Sequence, residues 1–305
     1  MTRAPMHKVP VGVLALMLVV SGCTPPSSTG PTTTPTSAAP TSTAIPPPVP
    51  FTGLTQDLRM RWSAEPGIDL ATGPAVIVRA YRESFILGGL MADPAFYYPG
   101  FENAVPPRNY SSWTHSVRPL VRGDHNLTTD GFEVTTSIAG TWRQHILSLT
   151  RDGVGAYIAL VCSWDYGVGT LQENGRYRYY RQQRLLPEQL ASDDIGSFVY
   201  RITFTPPDSI SPGPAPTPQI GAAPSPRTDV FGSWKIATAF RTNGYSTPAE
   251  PANPWPKEVF ERDKQTCTTN APDPYDKRLF YVSGEHPRSD FPTLPADPGW
   301  PATGT

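Results

Sequence analysis

Two histidines and an aspartate are the residues of this chain best suited to moving protons. His115 and His125 flank a Pro-Leu-Val-Arg segment, with Asp124 beside the second. Asp165 follows Trp164 at the end of an apolar segment. A carboxylate held away from water there has a raised pKa and can act as a general base. Asp165 with His115 or His125 on one cavity would make an acid–base pair. Plainer uses exist: histidines at a surface turn, and an aspartate accepting backbone hydrogen bonds at a strand end. Tyr98 stands in the run Phe96-Tyr-Tyr-Pro-Gly-Phe101, which reads as an aromatic wall facing a ligand or as aromatics packed over a core. Arg176-Tyr-Arg-Tyr-Tyr-Arg181 reads as a grip for an anion or a polysaccharide, or as an exposed strand with solvated arginines. In each case the plainer reading is preferred.

Stronger catalytic patterns are missing from the sequence. It has no Gly-x-Ser-x-Gly, no phosphate-binding loop, no His-Glu-x-x-His and no Cys-x-x-Cys. His115, His125, His145 and His286 match no metal-ligand spacing. The expectation is therefore no cofactor and no metal, with a binding or scaffold module preferred over an enzyme.

The N-terminus is more specific. Arg3, His7 and Lys8 precede an apolar run, Val9 to Val20, and then Ser21-Gly22-Cys23. About a dozen residues at 1.5 Å rise cannot cross a core about 30 Å thick. A lipoprotein signal over residues 1–22 fits, with a lipidated Cys23 as the first mature residue. Two or three acyl chains would anchor it stably at the outer face of the plasma membrane. Cleavage would leave 23 basic residues against 26 acidic, a formal charge of −3. That balance speaks against nucleic acid as a partner.

Residues 23–50 read as the lipidated cysteine and a Pro/Thr/Ser-rich tether. Thr24 to Pro50 has no charge and few apolar side chains, too few to offset its ordering entropy. In extended form it would reach up to roughly 80 Å from the bilayer.

The elements that would position the candidates follow. Residues 51–247 read as one globular domain, with a Pro-rich inserted loop at 206–229. Residues 248–305 read as an irregular Pro-rich region. A helix is expected over Gly73 to Leu90, with Thr72 as N-cap, Pro74 in the first turn and Gly88-Gly89 at a fraying end. Ile77, Val78, Tyr81 and Phe85 make its apolar stripe, with Arg79 and Glu83 paired on the other side. Strands are expected around Phe132–Ile138, Val154–Trp164, Tyr177–Gln183, Phe198–Phe204 and Trp234–Phe240, with a turn at Asp152-Gly153. Val154 to Trp164 is apolar on both faces, which suits the centre of a sheet. Helix first and antiparallel strands after it make the class α+β.

Once Cys23 is acylated, Cys162 and Cys267 are the thiols that remain. An oxidising compartment would pair them.

Four segments carry a family resemblance: Gly73-Pro-Ala-Val-Ile-Val-Arg-Ala-Tyr-Arg-Glu-Ser84, Tyr98-Pro-Gly-Phe101, Ile158-Ala-Leu-Val-Cys-Ser-Trp-Asp165 and Gly232-Ser-Trp-Lys-Ile-Ala237. Together, over residues 70 to 241, the chain resembles actinobacterial, mycobacterial-type lipoproteins with a nuclear-transport-factor-2-like (cystatin-like) domain. The resemblance implies a curved, mainly antiparallel sheet wrapped around an N-terminal helix as a cone with a pocket. Members of that type include enzymes, binding modules and dimerisation domains, so the resemblance alone gives no function. The sparse polar chemistry and the export-and-anchor signal are what favour a membrane-anchored envelope protein that binds a protein partner or a small apolar ligand.

Overall fold

The segment Tyr157–Trp164 is a central strand, as its two apolar faces require. A computed structural model describes residues 50–107, 117–124, 133–207, 217–241 and 255–302. Within them the strands are β1 (Asp57–Ala64), β2 (Ile138–Arg151), β3 (Tyr157–Trp164), β4 (Val168–Leu171), β5 (Tyr177–Tyr179), β6 (Ser197–Thr205), β7 (Lys235–Phe240) and β8 (Glu285–His286). They form one sheet in the order β7-β6-β3-β2-β4-β5-β8, with β1 added alongside β2. β1 pairs with β2 in parallel; the other pairings are antiparallel. The helices are α1 (Pro74–Met91), α2 (Phe101–Ala104), α3 (Pro187–Leu190), α4 (Lys257–Thr269) and α5 (Tyr275–Val282). The protein is α+β, with a curved and mainly antiparallel sheet.

Both faces of the sheet are covered. Met60, Trp62, Ile146, Val161, Ile202 and Phe204 pack with α1. Cys162, Trp164, Val199 and Phe240 face the other way, onto Trp255, Phe260, Cys267 and Val282 of the C-terminal segment. The alternation of β3 and β6 is thus fully used, with one set of side chains for each layer.

β3 and β4 run consecutively along the same edge of β2. Arg143 pairs with Trp164, and Gly140 with Val168. Three steps along β2 therefore face four along its partner, so Asp165-Tyr166-Gly167 contains a bulge. Such an extra residue bends a sheet and re-aims a side chain. Gly140 permits the close approach: its φ is +127°, and a Cβ there would lie 2.0 Å from the Gly167 oxygen.

Several expectations are corrected. The cap of α1 is Gly73, because the Thr72 hydroxyl is taken by Asp69 at 2.5 Å. The helix runs on through Gly88-Gly89 to Met91, and Gly88 makes room for the Tyr97 ring. Val154 is 91% exposed at a turn, where the Asp152 carboxylate accepts from the amides of Val154 and Ala156. The strand expected around Val134 to Ile138 begins at Ile138 and runs to Arg151. The tail expected to be irregular carries α4 and α5. Phe132 lies outside the described residues.

The disulfide forms as expected. Cys162 on β3 is bonded to Cys267 on α4, with both residues fully buried. Trp164 reinforces the joint by donating from Nε1 to the Cys267 carbonyl at 2.9 Å. Arg278 on α5 ties the same layer down, donating to the carbonyls of Ile195, Asp273 and Asp193. The cysteines are 105 positions apart, so reduction should cost at most about 4–5 kcal/mol. Urea unfolding with and without reductant checks the loss. Thiol titration of the unreduced, unfolded protein should find neither cysteine free.

Candidate functional site

The polar residues of α1 are buried, including Arg79 and Glu83 on the side away from the expected apolar stripe. Arg79, Arg82 and Glu83 are all at most 1% exposed. The sheet covers one side of the helix, while segments around residues 219 and 298 and the Tyr98 run reach its polar side chains.

Arg79 donates to four carbonyls: Leu70 at 2.7 Å, Gln219 at 3.0 Å, Pro298 at 2.8 Å and Gly299 at 3.0 Å. Its guanidinium also lies over the Trp300 ring at 4.2 Å. Glu83 accepts from Trp62 Nε1 at 2.6 Å, Tyr98 Oη at 2.6 Å and Trp300 Nε1 at 2.8 Å. Burial pushes the Glu83 carboxyl up, and Arg79 with the three donors pulls the other way. Tyr98 is therefore a buried donor inside this network, 2% exposed. Its ring meets Trp300 edge-on at 5.9 Å. The core reading of the aromatic run holds: Phe96, Tyr98 and Phe101 are all buried.

Asp165 belongs to a second network. The bulge turns its carboxylate inward, where Oδ1 accepts from Tyr179 Oη at 2.7 Å and Oδ2 from Tyr180 Oη at 2.7 Å. Arg181 Nη1 stands 3.5 Å from Oδ2. Asp165 is fully buried, and burial raises its pKa against the pull of Arg181 and the two tyrosines. Its partners are thus side chains, where backbone groups were expected. The exposed-strand reading of Arg176 to Arg181 is corrected in the same place. β5 is only Tyr177–Tyr179, and Tyr179, Tyr180 and Arg181 turn into the domain.

The structure does not bring Tyr98 and Asp165 into one network. His115, His125 and Cys23 lie outside the described residues. His145 contacts Ser63 and Glu65, and His286 contacts the Ser283 carbonyl. Among the described residues no group of three His, Cys, Asp or Glu side chains is placed to hold a metal ion. An open polar cleft of about 620 Å³ runs past Glu133, Thr170, Glu173 and Glu285, with Tyr179 and Tyr180 in its lining. The Asp165 carboxylate is not part of that lining.

A third set of residues lies on the α1 side of β6. Phe198 and Tyr200, two apart on this strand, share a face and are half-buried. The Arg82 guanidinium lies over the Tyr200 ring at 3.5 Å. Arg181 and Arg241 lie over Phe198 at 4.7 and 5.4 Å. All three arginines act on the Tyr200 phenol. Burial alone would raise its pKa, but the cations hold it below the ordinary value. Asp165 is the opposing charge there. Sequence reading missed this site: Tyr200 was one member of an alternating strand, and Arg82 and Arg241 had no assigned role. The useful signal would have been two aromatics on one face of a strand whose neighbours carry unmatched arginines.

The Glu83 network should dominate stability near α1. Glu83→Gln places an amide donor where an oxygen accepted, at a cost of about 1–3 kcal/mol. Glu83→Ala leaves Arg79 without its nearby anion and should cost about 3–5 kcal/mol. The folded-state pKa of Glu83 is raised, so its favourable linkage is present below pH 4.5 and lost as pH rises through the folded value. Relative to Glu83→Gln, the natural protein should therefore gain stability on acidification toward pH 4.5. Urea unfolding across that range checks both the sign and the size.

Comparison of the chain with protein-family models, curated proteins and solved structures gave no match.

Proposed function

We propose that this chain is an exported lipoprotein, lipidated at Cys23 and held at the outer face of the plasma membrane. Its domain, of nuclear-transport-factor-2-like type, binds a ligand or an envelope partner and does not catalyse a reaction. The tether of residues 23–50 holds that domain away from the bilayer.

The observation that carries the binding reading is the contrast between the polar networks. Glu83 and Asp165 are each filled by donors from their own domain. Neither is left as an acid or base open to a substrate. The arginines around Tyr200 carry cationic donors toward a half-buried aromatic face instead. A helix under a curved sheet, with polar side chains between them, also fits the resemblance of residues 70 to 241. For anchoring, the Ser21-Gly22-Cys23 sequence after a short apolar run is the support. No helix among the described residues is long and apolar enough to cross a membrane.

The anchor is tested by expressing the full chain in a bacterium that processes lipoproteins, with a clickable fatty acid in the medium. The natural chain should take up the label and partition into detergent. Cys23→Ala should take up no label. A Cys23→Ala protein labelled as strongly as the natural chain would remove the lipid-anchor reading.

A further inference from the structure

Arg82 differs from the other buried arginines of this fold. Arg79 spends its terminal nitrogens on four carbonyls, and Arg278 donates to three. Arg82 is 1% exposed, yet it makes one hydrogen bond, from Nε to Gln144 Oε1 at 3.2 Å. Among the described residues it has no carboxylate within ion-pair distance, and the same holds for Arg241. A guanidinium has five donors, and a buried charge without an anion is costly.

A second group beside it also lacks a partner. Gln144 is 1% exposed, and its Nε2 is buried with nothing to donate to. Arg82 and Gln144 thus place unused donors side by side, one charged and one neutral. Arg82 and Arg241 both act on Tyr200, while Arg181 is already neutralised by Asp165. Around them stand the half-buried rings of Phe85, Phe198 and Tyr200. The set combines planar donors for an oxyanion with aromatic surface for an attached organic group.

We propose that Arg82, Gln144 and Arg241, grouped about Tyr200, bind the oxyanion head of a small organic ligand, a carboxylate or a phosphate carried on an apolar or aromatic body. This deepens the binding-module reading and rests on it. It replaces a purely apolar ligand with an anionic one. Recognition needs no covalent step: the ligand's oxygens accept from Arg82 and Gln144 Nε2, and Arg241 supplies the outer charge.

The test uses the full chain in a non-ionic detergent, with benzoate and phenyl phosphate as probes and benzyl alcohol as the neutral comparison. Calorimetry should show at least one anion binding tenfold or more tightly than the alcohol. Tighter binding of phenyl phosphate assigns a phosphate head, and tighter binding of benzoate a carboxylate. Arg241→Ala, at an exposed position, should weaken binding several-fold with an unchanged melting temperature. Arg82→Gln should weaken it at least tenfold. A bound anion also cancels the cations acting on Tyr200. The tyrosinate absorbance near 295 nm, taken as the difference between the natural chain and Tyr200→Phe, should therefore titrate at higher pH with the probe present. Equal affinity for the alcohol, or anion binding that neither arginine variant weakens, would overturn the proposal. Failure here leaves Cys23 labelling untouched, so loss of this site and loss of the anchor are read separately.

Discussion

A charged residue pair inside α1 sets the terms for half of the fold. Arg79 and Glu83 are buried where hydrophobic residues would be the easier choice. Each is tolerable because other segments bring it partners. Four carbonyls converge on Arg79, and three donors converge on Glu83. Removing one partner of such a network leaves the remaining charge uncompensated. Apolar packing alone would let these segments settle in many ways over the helix. Directional bonds from Trp62, Tyr98, Gln219 and the Pro298–Trp300 stretch select one arrangement.

Beyond that network the sheet relies on shape and covalency. The bulge at Asp165-Tyr166-Gly167 bends the strand that continues from β3 into β4, and so it separates the sheet into two neighbourhoods. One side of the bend pairs with β6 and holds Phe198 and Tyr200. The other pairs with β5 and holds Tyr179 and Tyr180. The Asp165 carboxylate at the bend clamps Tyr179 and Tyr180 and pairs with Arg181, fixing the second neighbourhood against the first. The disulfide and Trp164 then hold α4 against the outer face of β3.

The parts legible in sequence were those with strong local periodicity. α1, β3, β6 and β7 all alternate or repeat over enough residues to declare themselves, and the pairing of Cys162 with Cys267 was expected from the cysteine count. β1 went unread because it stands alone before the helix and pairs in parallel with a strand far along the chain. β4 and β8 are four and two residues long, too short for any period to show, while β5 was expected but ends at Tyr179, short of Gln183. α4 and α5 hide in a proline-rich composition, where the prolines stand at helix entrances instead of inside. Burial of Arg79 and Glu83 could not be read from α1, since an i, i+4 charge pair looks the same whether water or a distant loop will cover it. Asp165 was singled out, but the favoured reading gave it backbone partners, and the raised pKa was the reading set aside. Its tyrosine partners were assigned to a solvated strand, because the bulge that turns them inward leaves no mark in the pattern.

The partners of Arg79 and Glu83 are spread unevenly along the chain. Leu70, Trp62 and Tyr98 are close in sequence, but Gly299 stands 220 residues from Arg79 and Trp300 stands 217 from Glu83. A polypeptide is made from its N-terminus, so the ribosome delivers the helix long before the residues that complete its charges. Until those residues exist, burying Arg79 and Glu83 would leave part of their charge without partners. The charges of α1 are therefore fully compensated only in a chain made through Trp300.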